Sequence, residues 1–207
     1  MDKVAPGETP RGKVSNTDAD VAWLVPGGSR ATAKMMAAAL RHDLYVQSSE
    51  KAFVHDGREY PSGTLIFPAA RNDDGTVGML RELARTTGAD FFGVDRSWIT
   101  TGPNFGSNKV RHLVKPRVAI AWDMPTDVYS PGAVRFVLER QFGYPVVPIR
   151  TQTLKTADLN RFDVVILPDQ SSRRGGGYAG VLGDAGKSNL ADWVADGGVL
   201  VTIAGGT

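Results

Sequence analysis

Three aspartates are the residues of this sequence best placed for chemistry. Asp123 and Asp127 follow the apolar run 117–122, and Asp169 follows the apolar run 163–167, and both runs are predicted strands. In open α/β sheets, ligands and catalytic groups collect at the carboxyl ends of the strands. A carboxylate there can serve as a general acid or base, but no His or Lys partner lies near these aspartates in the sequence. The pattern therefore favours polar turn residues over catalysis within this chain.

A loop rich in arginine and glycine follows the second of these strands. Arg173 and Arg174 offer guanidinium groups, and Gly175 and Gly176 offer backbone N–H groups, to an anion. Together with Asp123, these four residues are the predicted ligand-binding residues. Surface loops of this composition are usually only mobile, so the sequence leaves both interpretations open.

The segment 183–188 is a weak match to a phosphate-binding loop. Gly186, Lys187 and Ser188 fit the end of that motif, but Val181 stands where its first glycine is required. A glycine-rich stretch also precedes the segment, where the motif needs a strand. We therefore predict a flexible loop in which Ser188 caps the following helix, and no nucleotide site.

Metal and thiol chemistry have few residues to use. The sequence has no cysteine, which excludes disulfides, thiolate nucleophiles and cysteine-based zinc or iron–sulfur sites. His42, His55 and His112 are the three histidines, and none has a carboxylate or second histidine at ligand spacing. No Gly-x-Ser-x-Gly motif occurs. We predict no catalytic residue, no metal and no cofactor within the chain.

Charge and hydropathy narrow the range of partners. The formal net charge is +2, and no segment concentrates the positive charge that nucleic-acid binding requires. No apolar run approaches the roughly 20 residues needed to cross a bilayer. The sequence therefore predicts neither nucleic-acid binding nor a membrane span.

The elements that would position these residues fall into four segments. Residues 1–20 are polar, contain Pro6, Gly7, Pro10 and Gly12, and show no apolar period, which predicts a linker or arm. Residues 21–94 predict a small α/β unit, with a hairpin at Asp56-Gly57. Residues 95–114 predict an irregular connector. Residues 115–207 predict a second α/β domain.

Helix signals accompany these strands. Ser29 predicts the N-cap of a helix that runs to about Arg41, and Gly88 predicts the end of a helix over 76–87. Ser130 followed by Pro131 predicts a third helix start. The apolar residues predicted to be buried by this third helix are Val134, Val137, Leu138 and Phe142.

The order of elements in the second domain predicts parallel strands joined by right-handed crossovers. Its strands are nearly continuous apolar runs, which is typical of a sheet covered on both faces. We expect a flavodoxin-like parallel sheet. The chain ends at 205–207, directly after the predicted strand 199–203. We therefore expect the sheet to be incomplete at the C-terminus and the chain to be a piece of a larger protein.

Three segments carry a resemblance to a known family. Residues 115–120 (Lys-Pro-Arg-Val-Ala-Ile), the helix ending in 137–139 and the run 162–169 (Phe-Asp-Val-Val-Ile-Leu-Pro-Asp) resemble class I glutamine amidotransferase-like domains. They are most similar to the version attached to large bacterial zinc carboxypeptidases of the carboxypeptidase A type. Residues 60–66 (Tyr-Pro-Ser-Gly-Thr-Leu-Ile) resemble a hairpin strand that precedes that domain. The resemblance covers nearly the whole chain from about Val21.

The resemblance implies a zinc peptidase domain elsewhere in the parent protein. That domain would carry a His-x-x-Glu pair and a distant His on zinc, and none of these ligands can be carried over to this chain. In active amidotransferases a cysteine stands at the turn after a strand. Here that turn is Ala204-Gly205-Gly206, so a thiolate-based glutaminase reaction is excluded.

We expect the chain to be a non-catalytic accessory region of a zinc metallocarboxypeptidase. The parent protein would hydrolyse peptides at their C-terminus, whereas this chain lacks the zinc motif. Its expected partners are its own peptidase domain and a peptide or glycan at the strand-end edge. The resemblance implies a secreted or periplasmic location. Two alternatives stay open: a self-sufficient module that binds a small anion or sugar, and an intact small hydrolase.

Overall fold

The computed structural model describes residues 10–72, 75–170 and 176–206. The chain divides into two compact units, Met1–Lys115 and Pro116–Thr207. Each combines helices with a sheet, so the predicted α/β class is confirmed. Among the described residues, no helix is both long and apolar enough to cross a membrane.

The strands of the first unit are Val14–Ser15 (β1), Ala22–Val25 (β2), Gln47–Ser49 (β3), Phe53–His55 (β4), Arg58–Tyr60 (β5), Leu65–Pro68 (β6), Phe91–Val94 (β7) and Val110–His112 (β8). Six of them form a mixed sheet in the order β1-β7-β2-β6-β3-β8. β1 and β7 are parallel, and every other neighbouring pair is antiparallel. A separate hairpin consists of β4 and β5.

Two helices of this unit begin and end where the sequence predicts. α1 spans Arg30–Arg41, and the Ser29 hydroxyl accepts a hydrogen bond from the backbone N–H of Thr32, so the predicted N-cap is confirmed. α2 spans Thr76–Thr87 and ends at Gly88, whose φ of 79° is the left-handed conformation that glycine adopts without strain. A 3₁₀ turn over Ala69–Arg71 precedes α2.

The hairpin covers the sheet on one face. The predicted turn is confirmed, because His55 pairs with Arg58 across Asp56-Gly57. Phe53 and Tyr60 of the hairpin stack at 5.1 Å between ring centroids. They belong to a buried cluster that also contains the sheet residues Ala22, Leu24, Ile66, Val94 and Val110, together with Ile99.

Two of the predicted segment boundaries need correction. Within the predicted arm, Val14–Ser15 pairs with Phe91 and Phe92, and the N–H of Gly12 bonds to the carbonyl of Ala84, so residues 10–20 belong to the first unit. Within the predicted connector, Val110–His112 pairs with β3 as an edge strand. Both strands are short and carry no period of apolar residues, because edge strands bury little of their surface.

The strands of the second unit are Val118–Ala121 (β9), Val147–Ile149 (β10), Val164–Leu167 (β11) and Val199–Thr202 (β12). They form a parallel sheet in the order β10-β9-β11-β12. The helices are α3 (Ser130–Arg135, continued by a π-helical turn over Phe136–Gln141) and α4 (Gly177–Ala195). Short 3₁₀ turns occupy Thr151–Lys155, Leu159–Arg161 and Ala204–Gly206.

One face of this sheet holds the main core of the unit. Ala119, Ala121, Val165 and Leu167 alternate along β9 and β11, so they point to the same face. α4 and the 3₁₀ turns over Thr151–Lys155 and Leu159–Arg161 cover them with Leu154, Leu159, Tyr178, Leu182, Leu190 and Trp193. The loops at the carboxyl ends of the strands are therefore carried by a well-packed layer.

α3 differs from the prediction in its cap and its burial. Ser130 is the first residue of the helix, and its hydroxyl accepts a hydrogen bond from the backbone N–H of Asp169. Four residues of this helix were predicted to be buried. Val134, Leu138 and Phe142 are half-buried and Val137 is exposed, because the helix lies at the surface of the unit. The amphipathic pattern thus predicted the position of the helix correctly, but it did not predict how deeply its apolar side chains are buried.

The predicted flexible loop over 183–188 is instead part of α4. Gly183 has non-helical backbone angles (φ 58°, ψ -168°), so α4 consists of two helical segments joined by a kink at this residue. The Nζ of Lys187 lies 3.9 Å from Oδ1 of Asp184, one helical turn earlier. The Ser188 hydroxyl donates a hydrogen bond to Oδ2 of Asp192 at 3.4 Å. Ser188 is therefore an interior helix residue, and the prediction that it caps a helix is wrong.

Candidate ligand-binding site at the strand ends

The strand order of the second unit has a switch point between β9 and β11, and we call the strand-end region there the crevice. From β9 the chain passes to β10 on one side, and it then returns to β11 on the other side. Loops that leave neighbouring strands in opposite directions open a cleft outside the carboxyl ends, which is the usual ligand site in parallel sheets. Asp123 follows β9 and Asp169 follows β11, so the two residues flank this point.

Asp123 is held firmly by the loop after β10. Its Oδ1 accepts a hydrogen bond of 2.7 Å from the backbone N–H of Thr151. Its main-chain carbonyl accepts from the N–H and the hydroxyl of Thr126 at 3.0 and 2.9 Å. The carboxylate therefore ties the end of β9 to the end of β10.

Asp169 connects three loops in the same way. Its Oδ1 accepts from the N–H of Gly205 at 2.9 Å, and its carbonyl accepts from the N–H of Asp127 at 2.7 Å. Its own N–H donates to the Ser130 hydroxyl at 3.0 Å. The loops after β9, β11 and β12 thus meet at one residue.

Tyr178 forms the buried wall behind the two carboxylates. Its hydroxyl donates to the carbonyl of Pro168 at 2.9 Å, and its N–H donates to Oε1 of Gln170 at 3.0 Å. Burial raises the pKa of the Tyr178 hydroxyl, and the negative charges of Asp169 and Asp123 raise it further. The phenol therefore stays neutral and acts as a hydrogen-bond donor rather than a base.

The described part of this crevice is negatively charged. Oδ1 of Asp127 accepts from the N–H of Tyr129 at 2.8 Å, so each of the three aspartates uses Oδ1 for a backbone N–H. None of them pairs with a Lys or Arg among the described residues. Their Oδ2 atoms have no hydrogen-bond donor in that part of the chain. The site can accept hydrogen bonds and attract cations, but it lacks an activated nucleophile there.

Three of the five predicted ligand-binding residues, Arg173, Arg174 and Gly175, lie outside the described residues. Gly176 is described: it has a φ of 76°, and its carbonyl accepts from the N–H of Gly180 at 2.9 Å, so it starts α4. The structure thus locates Asp123 and Gly176 on two loops that both follow the carboxyl ends of strands.

The turn after β12 has an unusual backbone. Ala204 has a φ of 48°, a left-handed conformation that side-chain-bearing residues seldom adopt. The N–H of Gly206 closes the turn onto the carbonyl of Ile203 at 2.9 Å. A Cβ on Gly206 would lie 2.5 Å from the carbonyl oxygen of Leu167, so only glycine fits there without a shift.

The three histidines lie apart, in the first unit. His42 is the C-cap of α1. His55 is buried, with its Nε2 2.8 Å from the carbonyl of Arg96 and its ring stacked on Phe105. His112 stacks on Tyr45 at 4.2 Å. Among the described residues, no three His, Asp or Glu side chains lie close enough together to hold a metal ion.

The sequence analysis found the aspartates of the crevice but missed the residues that hold them in place. Thr151 bonds to Asp123, and Ser130 bonds to Asp169. Tyr178 forms the buried wall behind them. Thr151 could have been found, because it closely follows β10 and therefore belongs to the same sheet edge. Tyr178 lies in a helix that the sequence did not predict to begin so early.

Compared with known proteins, the chain matches no family model, no curated protein and no solved structure.

Proposed function

We propose that the chain is a non-catalytic accessory region of a larger zinc metallocarboxypeptidase, with a second unit of the class I glutamine amidotransferase-like kind. The parallel order β10-β9-β11-β12 supports this proposal, because it corresponds to the first four strands of a flavodoxin-like sheet. The resemblance of residues 60–66, 115–120 and 162–169 points to the same family.

The observation that carries the proposal is the turn after β12. A strained, left-handed residue between a strand and the next element is the backbone geometry that presents a nucleophile in elbow-type enzymes. Here that conformation belongs to Ala204, whose methyl group cannot attack a substrate. Asp169 fixes the next residue of the turn through the N–H of Gly205. The arrangement therefore favours binding over covalent catalysis.

The direct test is an activity assay on the purified chain. We expect no release of C-terminal residues from peptides in the presence of zinc, no stoichiometric zinc binding by elemental analysis, and no ammonia from glutamine. Stoichiometric zinc together with carboxypeptidase activity would overturn the proposal.

The second candidate function is a small-ligand module, and the crevice favours a sugar over an anion. Asp123, Asp127 and Asp169 lie on the loops at this sheet edge, and each uses Oδ1 for a backbone N–H without a described cationic partner. Carboxylates accept hydrogen bonds from sugar hydroxyls, whereas they repel anions.

Isothermal titration against a panel of neutral and acidic sugars tests this candidate. Asp123→Asn should weaken the binding of a neutral sugar, because an amide oxygen is a poorer acceptor than a carboxylate. If Arg173→Ala and Arg174→Ala together abolish binding of an acidic sugar while Asp123→Asn has no effect, the anion alternative holds instead.

A further inference from the structure

Strand β12 lies at an open edge of the four-stranded sheet. In the described part of the chain it pairs with β11 and with no other strand. The N–H of Val199 donates to the carbonyl of Asp163 on that side. Since consecutive residues of a strand direct their backbone groups to opposite sides, the N–H and C=O groups of Leu200 and Thr202 point away from β11. No described residue bonds to these four groups.

The other edges of the two larger sheets carry features that prevent pairing with another chain. β8 has the exposed residues Arg111 and His112, and β10 has the exposed Pro148. β1 is only two residues long. Charged residues, prolines and very short strands are the usual means by which an edge is kept unpaired. β12 has no charged residue and no proline, so it is the edge that can accept a further strand.

The sequence around β12 makes a second copy of the chain a suitable partner. Residues 197–206 read Gly-Gly-Val-Leu-Val-Thr-Ile-Ala-Gly-Gly, without a charge or a proline. Val, Ile and Thr favour strands, and neutral segments of this composition pair readily with copies of themselves. Val199 and Val201 are 51% and 39% exposed on the face away from α4. A second copy therefore brings no like charge to this edge and covers its apolar side chains.

We infer that two copies of the chain pair through β12 across a two-fold axis, which joins their sheets into one of eight strands. In the antiparallel register that sets Leu200 opposite Thr202 of the second copy, all four outward groups of each copy form hydrogen bonds. Val201 then lies opposite the same residue of the second copy, on the face away from α4. A two-fold pairing of this kind is closed, because it uses the edge of each copy once.

Neighbouring registers use fewer of these groups. A shift by two residues sets Thr202 opposite Gly198, whose N–H already donates to the carbonyl of Trp193 at 3.0 Å. A shift in the other direction sets Leu200 opposite Ala204, whose φ of 48° is not that of a strand. The register centred on Val201 is therefore the favoured one.

The size of the contact determines its strength. One short strand from each copy buries well below the roughly 1,600 Å² of a standard protein interface, so we expect a reversible dimer with a Kd in the micromolar range. This inference goes beyond the proposed accessory function and does not depend on it.

Sedimentation velocity on the full chain, from about 1 to about 200 µM, tests the association over this range of Kd. We expect the average mass to rise with concentration and to stop at the dimer, because the pairing is closed. A monomer at every concentration, or growth beyond the dimer, would overturn the inference.

Lysine substitutions test the location of the interface. Val201→Lys sets like charges opposite each other at the axis and should weaken the dimer at least about tenfold. Val147→Lys is the matched control, because Val147 is also 51% exposed and lies on β10, the opposite edge of the same sheet. It should leave the Kd unchanged. Urea denaturation at a concentration where the chain is monomeric checks that both variants fold. Equal effects of the two lysines would contradict the inference.

A single cysteine tests the register without weakening the dimer. The chain has no cysteine of its own. Directly opposite residues of a non-hydrogen-bonded antiparallel pair have Cα atoms about 4.5 Å apart, within the range that a disulfide spans. Val201→Cys should therefore form a disulfide-linked dimer under mild oxidation, and Val147→Cys should form it far more slowly. Equal rates for the two variants would overturn the inference.

The outcome is separate from that of the proposed function. Pairing through β12 neither requires nor produces zinc binding or release of C-terminal residues from peptides. A monomeric chain without peptidase activity contradicts this inference alone, whereas a dimer that binds zinc and cleaves peptides contradicts the proposed function alone.

Discussion

The two units treat their apolar surface differently. In the described part of the first unit, the large apolar side chains that are exposed are Met36, Trp98 and Val114. In the described part of the second unit they are Trp122, Met124, Val128, Tyr129, Phe136, Val137, Val147, Val194, Val199 and Val201. The second unit is the smaller of the two, so its surface is far more apolar for its size.

The difference follows from how the two sheets are covered. In the first unit, the hairpin and the segment after β7 cover one face, and Ile66 and Phe67 on successive positions of β6 are both fully buried. Successive strand residues point to opposite faces, so both faces of that sheet are covered. In the second unit, α4 covers one face well, whereas Val199 and Val201 on β12 remain exposed on the other. Apolar surface left in this way is available for binding, while that of the first unit supports stability.

The largest expected effect is a difference in stability between alanine variants of two phenylalanines, one in each unit. Phe67 is 0% exposed and lies 5.3 Å from the ring of Phe91, so Phe67→Ala should lower the free energy of unfolding by about 3–5 kcal/mol. Phe136 is 57% exposed, so Phe136→Ala should change it by less than about 1 kcal/mol. Urea denaturation followed by circular dichroism measures both, and a larger loss for Phe136→Ala would reverse the comparison.

A glycine substitution tests whether residues 10–20 belong to the first unit. A Cβ on Gly12 would lie 2.1 Å from the carbonyl oxygen of Ala89. Gly12→Ala should therefore destabilise the unit by about 1–3 kcal/mol, because the backbone must shift to admit the methyl group. Gly106→Ala is the control, since a Cβ there meets no atom within 4 Å. If both variants unfold at the same urea concentration, residues 10–20 form an arm after all.

An effect of intermediate size is expected for two serines at helix starts, Ser29 in the first unit and Ser130 in the second. Ser29→Ala removes the cap of α1 and should cost about 1 kcal/mol of stability in the first unit. Ser130→Ala instead removes the acceptor of the Asp169 N–H. Hydrogen exchange should accelerate at the first turn of α1 in one variant and at Asp169 in the other. Faster exchange throughout α3 in Ser130→Ala would show that Ser130 is a helix cap.

The smallest expected effect is on the pH dependence of stability. Hydrogen bonds from the Arg117 side chain and backbone lower the pKa of the Asp163 carboxyl. A carboxyl whose pKa is lower in the folded state adds stability above its unfolded pKa, near pH 4, and this stability is lost as the pH falls through the folded value. The pair is largely exposed, so the contribution is small. Asp163→Asn should flatten the acid limb of the stability curve below about pH 4, and an unchanged limb would contradict this assignment.

Local signals in the sequence were sufficient wherever local physics decides the structure. The cap at Ser29, the glycine stop at Gly88 and the Asp56-Gly57 turn each depend on a few neighbouring residues, and all three are confirmed. Ser130 shows the limit of such signals. Its hydroxyl is used by Asp169, a residue 39 positions later, and no local pattern reports that competition.

The candidate site shows the same division. The sequence alone determined that Asp123 and Asp169 follow strands, because near-continuous apolar runs followed by polar residues indicate buried parallel strands and their ends. Only the tertiary structure decided that β9 and β11 are neighbours, which brings both carboxylates to one crevice beside Tyr178. The tertiary structure also decided which apolar side chains remain exposed. Pairing and burial depend on residues distant in the chain, whereas turns, caps and strand ends depend on residues next to one another.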